Sequence, residues 1–290
     1  MSGSAYLLTL YGGGSSAASS TSIIDTIYGL AGSGGGSTAP AYGITTGNPV
    51  VALQEAQATQ PQGIANESKQ PQVMRTLAQF NAAVKGATSV QQLLSNPDVL
   101  KVLLTANGLG SQTGFTALAQ KALMSDPSNP HSLVNQLTNT NWKSAAQTYQ
   151  FATKGLAVIQ NPQVLSTIAN AYTEVLWRQS LDSTVPGLSN ALSFKQKAGS
   201  ITSVDQILGD STLRTVVTTA LGIPQQIAFQ DLNAQQTAIS SRVDINKFKD
   251  PNFVNAFMQQ YLLAAAGNSS TTGSGTSLDS LAVQAQGLVV

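Results

Sequence analysis

Thr88-Ser89-Val90-Gln91-Gln92-Leu93-Leu94-Ser95-Asn96-Pro97 opens a stretch that runs to Gly108-Leu109, and Thr202-Ser203-Val204-Asp205-Gln206-Ile207-Leu208-Gly209-Asp210-Ser211 opens another that runs to Gly222-Ile223. Aligned at an offset of 114 residues (202 − 88), 9 of the 22 positions are identical. Four more exchange one aliphatic for another: Leu93/Ile207, Val99/Leu213, Leu103/Val217 and Leu109/Ile223. Chance gives about one or two identities over such a length, so the pattern reads as one supersecondary unit built twice. The register extends outward to Phe80/Phe194, Phe115/Phe229 and Leu118/Leu232. What repeats is an apolar face, expected to be buried, and a helix-ending glycine. No group of catalytic type repeats, which points to a scaffold.

Around these stretches the helix signals are dense. A capping residue followed by proline occurs at Asn48-Pro49, Asn96-Pro97, Asn161-Pro162 and Asp250-Pro251. The side-chain oxygen can accept from a free N–H of the first turn, and proline at the first helical position sacrifices no hydrogen bond. Stripes of period 3.6 follow: Val73, Leu77, Phe80, Val84; then Val99, Val102, Leu103, Ala106; then Leu165, Ile168, Tyr172, Val175, Leu176. Gly108 and Gly222 stand where left-handed caps stop a helix. Helices are expected near 49–58, 71–86, 89–95, 97–107, 114–124, 131–138, 142–159, 162–181, 186–198, 203–208, 211–221, 226–240 and 251–265. No alternating strand run with hairpin turns is seen. The expected fold class is all-α, a multi-helix domain built from a duplicated helical unit with low-complexity, flexible ends.

Charge marks the limits of that middle. Only 9% of residues are charged, and every Lys and Arg lies between Lys69 and Lys249. Residues 1–46 hold a single charge, Asp25, and residues 267–290 a single charge, Asp279. Gly, Ser, Thr and Ala dominate both ends, a composition that buries too little apolar surface to offset chain ordering. The division expected is a low-complexity N-terminal segment (1–46), a first helical unit with the long helix (47–198), a second, shorter copy (199–266), and a low-complexity tail (267–290). Each end still carries one apolar cluster: Ile23, Ile24, Ile27, Tyr28 and Leu30 in the first; Leu278, Leu281, Ala285 and Leu288 in the second. These read as short helices that need a partner, so Ile23, Ile24, Ile27, Leu278, Leu281 and Leu288 are the candidate assembly contacts.

Composition also excludes classes of function. There is no cysteine, hence no thiolate metal site or cysteine nucleophile, and the only histidine is His131, hence no multi-histidine metal site. A net charge of +1 gives no electrostatic case for nucleic acid or a membrane surface. No window has the apolar length of a membrane span, and the N-terminus lacks the basic region and apolar run of a cleaved signal. Glutamine outnumbers Asp and Glu together, an amide-rich, nearly uncharged surface suited to packing against other subunits.

The single residues that stand out have ordinary structural readings. His131 lies in a Pro-rich turn with only Ser132 and, five residues off, Asp126, so a turn or surface role is expected. Trp142, Tyr149, Phe151, Phe253, Phe257 and Tyr261 sit at helical spacing and read as core anchors more than as a ligand platform. Glu174 and Arg178 form a helix-stabilising pair four apart, with Trp177 beside them off the main stripe. Arg242, Lys247 and Lys249 alternate with Asp244 and Asp250, so their charges cancel. The glycine runs at 12–14 and 34–36 lack the lysine and the following helix of a phosphate loop. Asp205 and Asp210 flank a helix end as caps, not as an acid–base pair.

The segments Thr202–Asp210, Val216-Val217-Thr218-Thr219-Ala220-Leu221-Gly222-Ile223-Pro224, Ser241-Arg242-Val243-Asp244, Phe248-Lys249-Asp250-Pro251-Asn252-Phe253 and Leu123-Met124-Ser125-Asp126-Pro127 resemble the bacterial family labelled domain of unknown function 1217. The resemblance covers roughly residues 48–266. It implies an all-helical protein, mostly of alphaproteobacteria, often encoded among flagellar genes, with no catalytic or binding residues to transfer. Nothing in residues 1–46 matches the Ala-Asn-Asn-Leu-Ala-Asn-like motif usual in rod and hook proteins, so an accessory or surface-associated role fits as well. The function expected is non-enzymatic: a structural or interaction protein associated with the flagellum, exported without a cleaved signal. Its partners are other protein subunits, flagellar ones or copies of itself, and it uses no cofactor, metal, nucleic acid or membrane insertion. The alternative is a cytosolic helical adaptor or export chaperone that binds another chain.

Overall fold

The computed structural model describes the backbone of residues 48–273 and side chains through residue 267. In chain order the helices are α1 (Pro49–Glu67), α2 (Pro71–Gly86), α3 (Val90–Ser95), α4 (Pro97–Ala106), α5 (Thr116–Leu123), α6 (Leu133–Gln136) and α7 (Thr140–Tyr149). There follow α8 (Phe151–Lys154), α9 (Pro162–Leu181), α10 (Leu188–Ala198), α11 (Val204–Gly209), α12 (Ser211–Ala220), α13 (Leu232–Ser240) and α14 (Pro251–Gly273). Short 3-10 turns occupy Gly110–Gln112, Gln225–Phe229 and Ile245–Lys249. The described residues contain no strand, so the fold is all-α as expected.

The four cap-proline signals all start helices. Asn48 Oδ1 accepts from Val50 N at 3.0 Å, Asn96 from Asp98 N at 2.9 Å, Asn161 from Gln163 N at 2.8 Å and Asp250 from Asn252 N at 2.9 Å. Each oxygen satisfies a donor that the helix itself leaves free.

Local geometry matches across the two repeated stretches. Shifted by 114, the bounds of α3 become those of α11, and the bounds of α4 become those of α12. Ser89 and Ser203 cap α3 and α11 with φ/ψ of −146/155° and −145/157°. Gln92 Oε1 accepts from Thr88 N at 2.9 Å, and Gln206 Oε1 from Thr202 N at 2.8 Å, so both ends are tied reciprocally. Gly108 and Gly222 have φ of 69° and 60°. The N–H after each turns back into its helix, from Leu109 to Leu104 O (2.7 Å) and from Ile223 to Thr218 O (2.8 Å).

Elsewhere packing overrides local signals. The helix expected over 142–159 is divided: Gln150, at φ 50°, turns left-handed between α7 and α8. The reversal lets neighbours Tyr149 and Phe151, which a continuous helix would fan apart, both sink into the core with rings 5.6 Å apart. The helix expected over 49–58 continues through Pro61 to Glu67, because its later turns are held against Trp177. The segment 131–138 contracts to Leu133–Gln136, the helix expected over 114–124 starts only at Thr116, and the start of 226–240 is replaced by a 3-10 turn. The last helix extends past 265 to Gly273.

Two apolar cores form within one compact unit. The first gathers side chains from Val73 to Tyr172, including Phe80, Leu104, Trp142 and Tyr149. The second joins Ala52, Leu53 and Ala56 of α1 to side chains from Trp177 to Leu262. Its centre is a cluster of Phe194, Phe248 and Phe257, with ring centroids 5.2–5.5 Å apart. Helix α9 belongs to both: Leu165, Ile168 and Tyr172 enter the first, Trp177 and Leu181 the second. A single rigid helix thus fixes the seam between the cores.

Candidate functional site

The expected assembly contacts Ile23, Ile24, Ile27, Leu278, Leu281 and Leu288 lie outside the described residues. His131 is exposed, and its backbone N–H donates to Asn129 Oδ1 at 3.0 Å, the turn geometry expected. Trp142, Tyr149, Phe151, Phe257 and Tyr261 are buried core anchors. Phe253 is half-buried, with the Lys247 ammonium 5.8 Å above its ring. Arg242 donates to Ala238 O and Asp244 caps the turn at Ile245–Lys249, so that basic cluster is taken up by local structure. Among the described residues, no three of His, Cys, Asp and Glu come together as metal ligands would. No described helix is long and apolar enough to cross a membrane.

The repeat does not preserve only a buried face. Phe80 and Phe194 are buried, but Phe115 is 59% exposed and Phe229 92% exposed. Both phenylalanines stand where a 3-10 turn hands over to the following helix, α5 or α13. Leu232 beside Phe229 is 55% exposed, whereas its counterpart Leu118 is half-buried. The sequence aligned these aromatics but not their direction, because no neighbour within the stretch decides it.

A polar junction lies along the seam. Asp210 is 5% exposed. Its carboxylate accepts from Lys197 Nζ at 2.5 Å, Asn141 Nδ2 at 3.0 Å and the N–H groups of Thr212 and Leu213. The cap of α12 is therefore also the tie to α7 in the first core. Gly209 fits directly against Thr138, where an added Cβ would come within 2.5 Å of the carbonyl oxygen. On α9, Glu174 and Arg178 are more than a surface pair. Arg178 is 7% exposed, and its Nη1 lies 3.7 Å from Glu174 and donates to Gln196. Gln60 of α1 donates to Glu174 at 3.2 Å, and Gln196 of α10 donates to it as well. The network thus joins three helices. Burial pushes the Arg178 guanidinium down from its ordinary value, and Glu174 offsets part of that.

Between these two groups opens a cavity of ≈ 430 Å³. Its walls are the end of α4 at Asn107 and Gly108, the α9 residue Arg178, the α10 residues Ser193 and Lys197, and Thr212 at the start of α12. Its size is in the range of sites for small ligands, roughly 300–1,000 Å³, and its walls are more polar than most of those.

Comparison with known proteins places the chain. A family profile described as "Protein of unknown function (DUF1217)" matches residues 106–254. The X-ray crystal structure of a protein from Agrobacterium tumefaciens aligns with a TM-score of 0.65 at 21% identity, covering 79% of this chain and 96% of that one. At that identity the likeness speaks for the fold alone. Among curated proteins none matches.

Proposed function

The chain belongs to the DUF1217 family, and from that premise we propose that it is a non-enzymatic structural or interaction protein of the bacterial flagellum, of alphaproteobacterial type. The observation that carries an interaction role is the outward aromatic repeated at an offset of 114: Phe115 on one copy of the helical unit, Phe229 with Leu232 on the other. A phenylalanine left in water forgoes about 1.5–3 kcal/mol that burial against a partner would return. Two such residues, at matched places in a unit built twice, give paired contact points on one scaffold. The nearly uncharged, amide-rich composition supports close packing of subunits. The apolar clusters at Ile23, Ile24 and Ile27 and at Leu278, Leu281 and Leu288 supply further contacts in this reading. The flagellar setting rests on what the family resemblance implies, as does export without a cleaved signal.

Mass spectrometry of isolated filaments and basal bodies, against whole-cell lysate, tests the reading. Enrichment in the flagellar fractions, lost in a Phe115→Ser, Phe229→Ser variant that keeps its thermal midpoint, is the expected result. A chain confined to the cytoplasm in complex with another protein would favour a helical adaptor or export chaperone. Equal recovery of wild type and variant in the flagellar fractions would remove the two phenylalanines from the contact.

A further inference from the structure

The cavity at the seam is lined by two cations that the proposed function does not use. Its charged lining consists of Arg178 and Lys197, and no carboxylate lines it among the described residues. The carboxylates that pair with these cations stand elsewhere. Glu174 borders a separate cavity of ≈ 250 Å³ on the other side of Arg178, and Asp210 is buried beyond Lys197. Arg178 is held rigidly by burial and by Gln196, yet its Nε has no acceptor among the described residues. A guanidinium donor buried without an acceptor is costly, and because that atom is out of reach of solvent, the cavity engages only the parts of Arg178 that line it.

The backbone keeps the space open. Gly108, at φ 69°, presents no side chain where a Cβ would stand 3.3 Å from Lys197 Nζ. At the matched Gly222 nothing lies within 4 Å, so this closeness belongs to the first copy alone. The lining also offers neutral donors: the hydroxyls of Thr212 and of Ser193, one turn before Lys197 on α10, and the amide of Asn190, which also donates to the Tyr261 hydroxyl at 3.4 Å. Two fixed cations with hydroxyl and amide donors around a pocket of this size suit an oxyanion, because a guanidinium and an ammonium bind phosphate or carboxylate oxygens by charge-assisted hydrogen bonds.

We propose that the cavity bounded by Arg178, Lys197, Ser193 and Gly108 is a binding site for the phosphate group of a small phosphorylated molecule. The ligand would bridge α4 and α9 to α10 and α12 and so couple occupancy to the rigidity of the seam between the cores.

The full chain should be titrated with inorganic phosphate at ionic strength held constant with potassium chloride, reading backbone amide shifts and the thermal midpoint. Saturable shifts should centre on residues 108–111, 190–197 and 211–212, with a rise in the midpoint that chloride does not reproduce. Arg178→Gln should weaken the apparent affinity at least tenfold, and Arg178→Lys should recover part of it. If Arg178→Gln fails to fold, Ser193→Phe, which fills the cavity from its rim, should abolish the response while the fold is kept. Citrate in a parallel arm separates phosphate from carboxylate recognition: tighter binding of citrate would overturn the assignment to phosphate. Shifts centred elsewhere, no response beyond that to chloride, or an undiminished response in Ser193→Phe would overturn the site itself.

Discussion

Gly63 of α1 lies under the indole of Trp177 of α9, so close that a Cβ on Gly63 would come within 2.1 Å of Trp177 Nε1. The contact joins the first described helix to the second core, and it holds α1 helical beyond Pro61. Gly63→Ala sets two effects against each other. Alanine gains up to about 1 kcal/mol of helix propensity. The buried indole, 4% exposed, has little room to retreat, and overpacking of this kind costs about 1–3 kcal/mol. The clash should win, and denaturant unfolding should show a net loss of about 1–2 kcal/mol. An unchanged or raised midpoint would mean that α1 does not pack so closely.

Lys197 and Asp210 should be coupled. Lys197→Met leaves a carboxylate that is 5% exposed with only Asn141 and backbone donors. Lys197 itself is 23% exposed in its side chain, so the loss should fall below that of a fully buried pair, at about 2 kcal/mol. Asp210→Asn on top of it should recover most of that loss. Asparagine is the residue at the matched position 96, where it caps α4 with no lysine at position 83. A double-mutant cycle with no coupling energy would contradict the pair.

Gln150 and Gly222 make opposite predictions from the same backbone region. Gln150 holds φ 50° with a side chain, so Gln150→Gly should raise stability by up to about 1 kcal/mol. Gly222 holds φ 60° with open space around it, so the penalty of Gly222→Val is one of backbone alone, on the order of 1–2 kcal/mol. Thermal midpoints of the two variants should move in opposite directions.

Alkaline pH should unfold the protein through its buried tyrosines. Burial pushes the Tyr149 phenol up to about 12, with Asn107 drawing it partly back, and burial raises Tyr172 and Tyr261 too. The folded state therefore holds these protons when the unfolded chain has begun to release them. Stability is fully present below the unfolded value near pH 10 and is lost as pH rises toward 12. For Tyr149 the slope approaches about 1.4 kcal/mol per pH unit, the limit for one proton, between pH 10 and 12. Tyr149→Phe should lower stability slightly at neutral pH, through the lost Asn107 hydrogen bond, and flatten the decline above pH 10. A decline equally steep in that variant would place the titrating groups elsewhere.

The sequence determined what neighbours along the chain decide. The Asn–Pro and Asp–Pro helix starts, the serine caps at 89 and 203, and the glycine stops at 108 and 222 all depend on hydrogen bonds that span six residues or fewer. The pairing of two stretches at an offset of 114 was equally legible, because identical local chemistry gives identical caps. Tertiary structure decided what each apolar face packs against and which aromatics are left outside the cores. Phe80 and Phe115 look alike in the aligned repeat, yet one fills a core and the other meets solvent, since only Phe80 has packed helices over it. Glu174 and Arg178 read as a common pair four apart until Gln60, far earlier in the chain, and Gln196 enclose them. Pro61 and Gln150 go against their local preferences because burial of Trp177, Tyr149 and Phe151 outweighs a lost hydrogen bond or a strained φ. Burial is set by side chains that arrive from distant parts of the chain, and periodicity within one helix carries no record of them.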